Sequence, residues 1–195
     1  PFCLTQKTLY LIEIKRIELT LNHMKAISLL SFFALFSCQT AFTQPTNTNI
    51  SNGIAFDGEP YLAINPANNQ NLIATWIGVK FLNGAFTNVI KTKSSFDGGA
   101  SWSAGNNLPH FAPSYGSADP SIVFSSTGTA YICYIDHREA PDSGGIFVSR
   151  STNGGLAWDT PTLAIDMYDS PSQKPIDRPW MVIDHPATSS NGALY

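Results

Sequence analysis

Short apolar runs, each opened by a proline and closed by a small polar residue, recur along the chain from residue 59 onward. They read Glu59-Pro60-Tyr61-Leu62-Ala63-Ile64-Asn65, Asp119-Pro120-Ser121-Ile122-Val123-Phe124-Ser125 and Arg178-Pro179-Trp180-Met181-Val182-Ile183-Asp184, and the prolines stand 60 and 59 residues apart. Runs of this length, rich in β-branched and aromatic residues and bounded by turn formers, predict strands rather than helices. A turn and a second apolar run follow each: 71–79, 129–135, and the start of another at 192–195.

A second pattern keeps the same phase. Ser95-Phe96-Asp97-Gly98-Gly99-Ala100-Ser101-Trp102 is echoed by Ser151-Thr152-Asn153-Gly154-Gly155-Leu156-Ala157-Trp158, with Asp97 and Asn153 separated by 56 residues. Asp or Asn accepts hydrogen bonds from nearby amides, and the glycine pair supplies the positive φ of a tight turn. The closing Trp is apolar enough to pin the turn against a neighbouring sheet. Each period then holds four strands, at 60–65, 71–79, 87–95 and 101–103, and again at 120–125, 129–136, 145–151 and 157–165. Four antiparallel strands per period, repeated, predict the blades of an all-β propeller.

The amino-terminal residues have a different character. From Met24-Lys25 the chain runs apolar over 26–37, which is 12 residues, whereas a membrane-spanning helix takes about 20. This is the anatomy of a secretory signal peptide over 24–44, with the small residues Ala41 and Thr43 near the cleavage point. Leu35-Phe36-Ser37-Cys38 reads alternatively as a lipobox that would anchor the protein through a lipid on Cys38. Residues 1–23 precede the initiator-like Met24 and read as upstream sequence or an extension. The chain is thus expected to be secreted, periplasmic or on the cell surface, with no transmembrane span.

Composition narrows the picture. Charged residues make up only 13%, the hydrophobic set 43%, and from residue 45 onward 12 acidic residues face 7 basic ones. No basic cluster appears, which argues against a nucleic-acid partner. Beyond the leader Cys133 is the one cysteine, so the exported part is held by its core and not by a disulfide.

The two turn sequences resemble the Asp-box, or BNR repeat, of the form Ser-x-Asp-x-Gly-x-Thr-Trp, found in the sialidase-like (neuraminidase-like) propellers. The residues that carry it are Ser95, Asp97, Gly99 and Trp102, then Ser151, Asn153, Gly155 and Trp158; the second copy has Asn for Asp and Ala157 for Thr. The resemblance implies a six-bladed propeller when complete, so that 45–195 is its amino-terminal part. Blade 1 falls at about 55–110, blade 2 at about 115–170, and a truncated blade 3 begins near 176, giving about two and a third blades. A chain of this kind cannot close the ring and is expected to be a fragment of a longer protein. In this family the Asp-box is structural and lies on the face opposite the active site, so function has to be sought on the other face.

Because antiparallel strands alternate direction, the second-to-third-strand loops 80–87 and 136–145 and the starts of the first strands share that other face. This gathers the carboxylates Glu59, Asp119, Asp136, Glu139, Asp142 and Asp177, the cations Arg138 and Arg178, and His137. The resemblance implies an exported glycoside hydrolase acting on sialylated or related glycans, an exo-α-sialidase if an enzyme. Asp119, Asp136 and Arg178 are the catalytic candidates, with Glu59, His137, Arg138 and Asp177 as substrate-binding residues. A guanidinium fork suits a substrate carboxylate. The chain departs from the family at its first arginine: where the family has Arg-Ile-Pro, this sequence has Gly58-Glu59-Pro60.

Plainer readings stand beside these. An acidic residue before proline can simply cap a strand start, where the residue preceding proline is held extended. Residues 136–139 also read as a solvated loop, and His110 and His185, beside loop prolines, as solvent-facing turn residues. No ligand spacing points to a resident metal or cofactor, although three acidic groups at equivalent strand starts offer the hard oxygens calcium takes. A non-catalytic propeller binding a glycan, glycoprotein or other protein ligand at the cell surface, or serving as scaffold of a larger surface protein, is the alternative function.

Overall fold

The computed structural model describes residues 13, 15–25, 47–53, 55–82, 84–139, 142–168, 176–184 and 192–195. The leader core, Cys38 and His185 lie outside the described residues. The chain divides into two units, Pro1–Thr48 and Asn49–Tyr195. In the first, residues 15–25 are helical with exposed side chains, and the Thr20 hydroxyl donates back to the Arg16 carbonyl at 2.7 Å. Among the described residues no helix is long and apolar enough to cross a membrane.

The second unit is all-β. Strands β1 (Gly58–Ile64), β2 (Leu72–Leu82), β3 (Ala85–Ser95) and β4 (Asn106–Asn107) form one four-stranded antiparallel sheet. A second comprises β5 (Gly116–Phe124), β6 (Ala130–Glu139), β7 (Asp142–Ser151) and β8 (Thr162–Asp166), in the same sequential order. A third hairpin begins where the repeat demands it: Val182 and Tyr195 exchange both backbone hydrogen bonds, at 2.9 and 3.0 Å, and Ile183 bridges Leu194.

Two differences from the expected strands have local causes. The segments read as upper loops, 80–87 and 136–145, are strand almost to their tips: Leu82 pairs with Ala85 and Glu139 with Asp142. Residues with strong strand preference, Phe81, Phe86 and Thr87, carry the first of these ladders outward. The fourth strands begin later than read, at Asn106 and Thr162; directly after each Trp a single backbone bond reaches the third strand, from Ser103 N–H to the Ser94 carbonyl and from Asp159 N–H to the Arg150 carbonyl, both 2.8 Å, before the ladder is taken up.

The core lies between the sheets. Ile73, Ile77 and Ile90 from the first pack with Ile122, Phe124, Ile132, Tyr134 and Phe147 from the second, with Leu108 sealing one side. Both faces of β6 are buried, one toward the first sheet and one toward the third hairpin, so it reads as continuously apolar from Ala130 to Ile135 rather than alternating.

The glycine turns sit at the end of the sheets away from Glu59 and Asp119, since Ser95 is level with Leu72 and Ile64 in the ladder. In the first turn the Ser95 hydroxyl donates to Asp97 and accepts from the Gly99 amide, each at 2.8 Å, and Asp97 also accepts from the Ser101 amide at 2.8 Å. Ser151, Asn153, Gly155 and Ala157 repeat these bonds at 3.0, 2.9 and 2.9 Å. Asn153 therefore replaces Asp97 as an acceptor without its charge.

The turns differ in what covers them. The second is pressed onto the first sheet: Asn71 donates to the Gly154 carbonyl at 3.2 Å, Asn106 to the Gly155 carbonyl at 3.2 Å, and the Trp158 indole to the Thr92 hydroxyl at 3.2 Å. The first turn is exposed, and the Trp102 indole donates to its own Gly99 carbonyl at 3.1 Å.

The hydrogen bonds from Ser101, and then from Ser95, hold the Asp97 carboxyl down to about 2 from an ordinary 3.8. A depressed carboxylate stabilises the fold above its unfolded value and loses that contribution as pH falls through the folded one. Thermal melts should therefore show an acid-dependent loss between pH 3.8 and about 2 that Asp97→Asn reduces. Identical pH profiles for the two proteins would refute the assignment.

Candidate functional site

Proline cannot donate to a ladder, so an X-Pro pair at a strand start is accommodated by leaving the ladder locally. In β1 the pairing jumps from Gly58↔Ile77 to Tyr61↔Thr75, and in β5 from Ala118↔Ile135 to Ser121↔Cys133. Glu59-Pro60 and Asp119-Pro120 are thus bulges, which re-aim side chains. The residue before each proline is not extended, as pre-proline sterics lead one to expect. Glu59, Asp119 and Arg178 all take left-handed conformations, with φ of 49°, 53° and 48°. Strain of this kind costs on the order of 1–3 kcal/mol per residue and persists where the surroundings over-determine it.

The consequence is convergence. Arg178 Nη2 donates to Glu59 Oε1 at 2.7 Å across 119 residues of sequence, and the Arg178 backbone N–H donates to Asp119 Oδ2 at 3.3 Å. Arg178 thus brings the Asp119 and Glu59 carboxyls to one place. Partial burial first, and then the Glu59 carboxyl, raise the Asp119 pKa above its ordinary value. Glu59 in turn raises the Arg178 guanidinium, which stays charged. The side chain of Arg178 is 68% exposed and that of Glu59 30%, so the trio stands at an accessible surface.

A cavity of about 350 Å³ opens beside Asp119. Ile135, Met167 and Ile176 supply apolar wall, while Asp119, His137, Asp142 and Asp177 supply polar groups. His137 Nδ1 is buried with no hydrogen-bond partner among the described residues. Tyr168 stands close by, its hydroxyl pushed up to about 12 by desolvation and then by its hydrogen bond to Asp142 and that group's charge.

No family model and no curated protein matches the chain. Among solved structures it is similar to one described as Hadza microbial sialidase Hz136, at 18% identity and a TM-score of 0.44, over 64% of this chain and 28% of that one. The chain thus spans little more than a quarter of that structure's length.

Of the candidates read from sequence, Glu59, Asp119 and Arg178 come together, and His137 and Asp177 join Asp119 at the cavity. Asp136 does not reach the mouth. It is fully buried in β6, where it accepts from Phe111 N–H at 2.7 Å, from Ser117 Oγ at 2.8 Å, and pairs with His110 Nδ1 at 2.8 Å. The pleat decides this: His137 faces the cavity, so its neighbour Asp136 points to the opposite face. His110, expected in solvent, has a side chain only 4% exposed because this carboxylate holds it inside. Arg138 turns away over the Tyr115 ring, 5.9 Å from its centroid, with Nη2 3.5 Å from Ser143 Oγ. Among the described residues no group of three or more potential ligands is arranged to hold a metal ion. Cys133 is free and buried, its thiol raised to about 11 by desolvation. Met167, Ile176 and Tyr168 went unread in the sequence; nothing in their spacing marks them.

Proposed function

We propose that this chain is the amino-terminal part of an exported Asp-box propeller of sialidase-like architecture, and that its mouth is a glycoside-hydrolase site. The leader over 24–44, the two phased glycine turns and the strand starts that meet at one point support this reading. One observation carries the chemistry: Asp119, held above its ordinary pKa by partial burial and by the Glu59 carboxyl, meets Glu59 at Arg178. Glycoside cleavage needs one carboxyl to give a proton to the leaving oxygen and a second to act in ionised form. Asp119 is the proton donor; Glu59, paired with Arg178 at 2.7 Å, is the second carboxylate and raises its neighbour.

Turnover of a panel of fluorogenic glycosides tests this. Asp119→Asn should lower kcat/KM by about 100-fold or more, mostly through kcat. Glu59→Gln removes a group that raises Asp119, so any residual activity should lose its alkaline limb at lower pH than in the wild type. No release from any glycoside would overturn the hydrolase reading.

One observation favours a non-catalytic glycan- or protein-binding propeller instead: Arg178, the best placed cation, is already engaged by Glu59. That reading expects ligand binding that Arg178→Ala weakens, with no turnover.

A further inference from the structure

The cavity beside Asp119 carries an unequal balance of charge. Three carboxyls line it, from Asp119, Asp142 and Asp177, and Glu59 stands behind Asp119. Arg178 has its Nη2 engaged by Glu59 at 2.7 Å, and Arg138 is directed toward Tyr115 and Ser143. A ligand carboxylate entering here meets Asp142 and Asp177 and no guanidinium presented as a fork, and repulsion in a partly desolvated site is not screened as it is in bulk water. An ammonium meets the reverse. Apolar wall from Ile135, Met167 and Ile176 gives the C–H face of a sugar ring a surface, and about 350 Å³ lies at the small end of ligand pockets, room for a single ring unit.

We infer that this cavity takes an amine-bearing saccharide, a glucosamine-type ring with a free ammonium, in preference to a sugar bearing a carboxylate. The inference rests on the reading of the mouth as a glycan site, but not on whether that site is catalytic. Asp142 and Asp177 are the residues that select charge; Asp119 and Glu59 keep their roles in the carboxyl pair.

Titration calorimetry on the purified chain at pH 6, where the sugar amine is protonated, provides the test. Three trisaccharides serve as probes: fully deacetylated glucosamine, its N-acetylated counterpart and an oligouronate. The deacetylated trimer should bind about tenfold or more tighter than the acetylated one, the scale of one favourable charge interaction near a protein surface. The oligouronate should bind weakest. Raising the salt should erode the preference. The double variant D142N/D177N should reduce it at least about fivefold, and a thermal melt matching that of the wild type separates loss of charge from loss of fold. Equal or tighter binding of the oligouronate overturns the inference, as does a preference that survives D142N/D177N. Those outcomes leave the glycan site standing, whereas failure of all three probes to bind removes both.

Discussion

Gly155→Ala should destabilise the protein by about 3 kcal/mol, lowering the thermal midpoint by several degrees. Two costs add. The residue has a φ of 90°, which a side chain bears poorly. Its Cβ would also run into Ser94 Oγ and come within 2.7 Å of Ile73 Cδ1, because the turn lies directly on the first sheet. Gly99 is the built-in control. It has the same place in its turn and a φ of 96°, yet an added Cβ finds only Trp102, at 3.9 Å. Gly99→Ala therefore carries the backbone cost alone, about 1–2 kcal/mol. Parallel melts of the two variants separate backbone strain from close packing between sheets. Equal losses would show that the contact with Ser94 and Ile73 contributes nothing.

Asp136→Ala should cost about 3–5 kcal/mol. The carboxylate is fully buried and satisfies the Phe111 amide and the Ser117 hydroxyl while holding His110 Nδ1. Truncation leaves the Phe111 amide inside without an acceptor, and leaves Ser117 Oγ and His110 Nδ1 only each other, at 3.0 Å. His110 Nε2 already lacks a partner among the described residues, so the ring would be held through Ser117 alone. Asp136→Asn keeps one acceptor oxygen and should fall between wild type and alanine. Denaturant unfolding gives the energies, and the imidazole resonances of His110 report whether the ring has left its site. A loss below about 1 kcal/mol for the alanine variant would mean that the network is not what fixes the 108–117 segment against β6.

What could be read in advance was whatever local chemistry determines. Gly98-Gly99 and Gly154-Gly155 announce turns because positive φ is a property of the residue itself, and all four glycines adopt it. The phased X-Pro pairs mark Glu59, Asp119 and Arg178 as equivalent positions of the repeat, and in the structure the three meet at one point. Their conformation was not legible: pre-proline sterics favour an extended backbone, and the bulge and shared ion pair override that preference. His110 was misread for a related reason. Nothing beside it in sequence signals burial; its partner lies 26 residues away and faces it only once β6 is pleated in register. The reach of β6 through Glu139 followed from pairing with β7, which a polar Asp-His-Arg-Glu stretch does not advertise. Cavity walls such as Met167 and Ile176 come from segments that no periodicity links.

The two sheets share no strand ladder; they are fastened by a few side-chain hydrogen bonds, from Asn71, Asn106 and Trp158, and by the core between them. Each sheet satisfies its own backbone, so opening one need not unzip the other. Amide hydrogen exchange should therefore resolve two protected groups with separate opening energies, coupled through a single interface in the manner of a linear array. Weakening that interface, as at Gly155, would loosen the coupling before it melted either sheet.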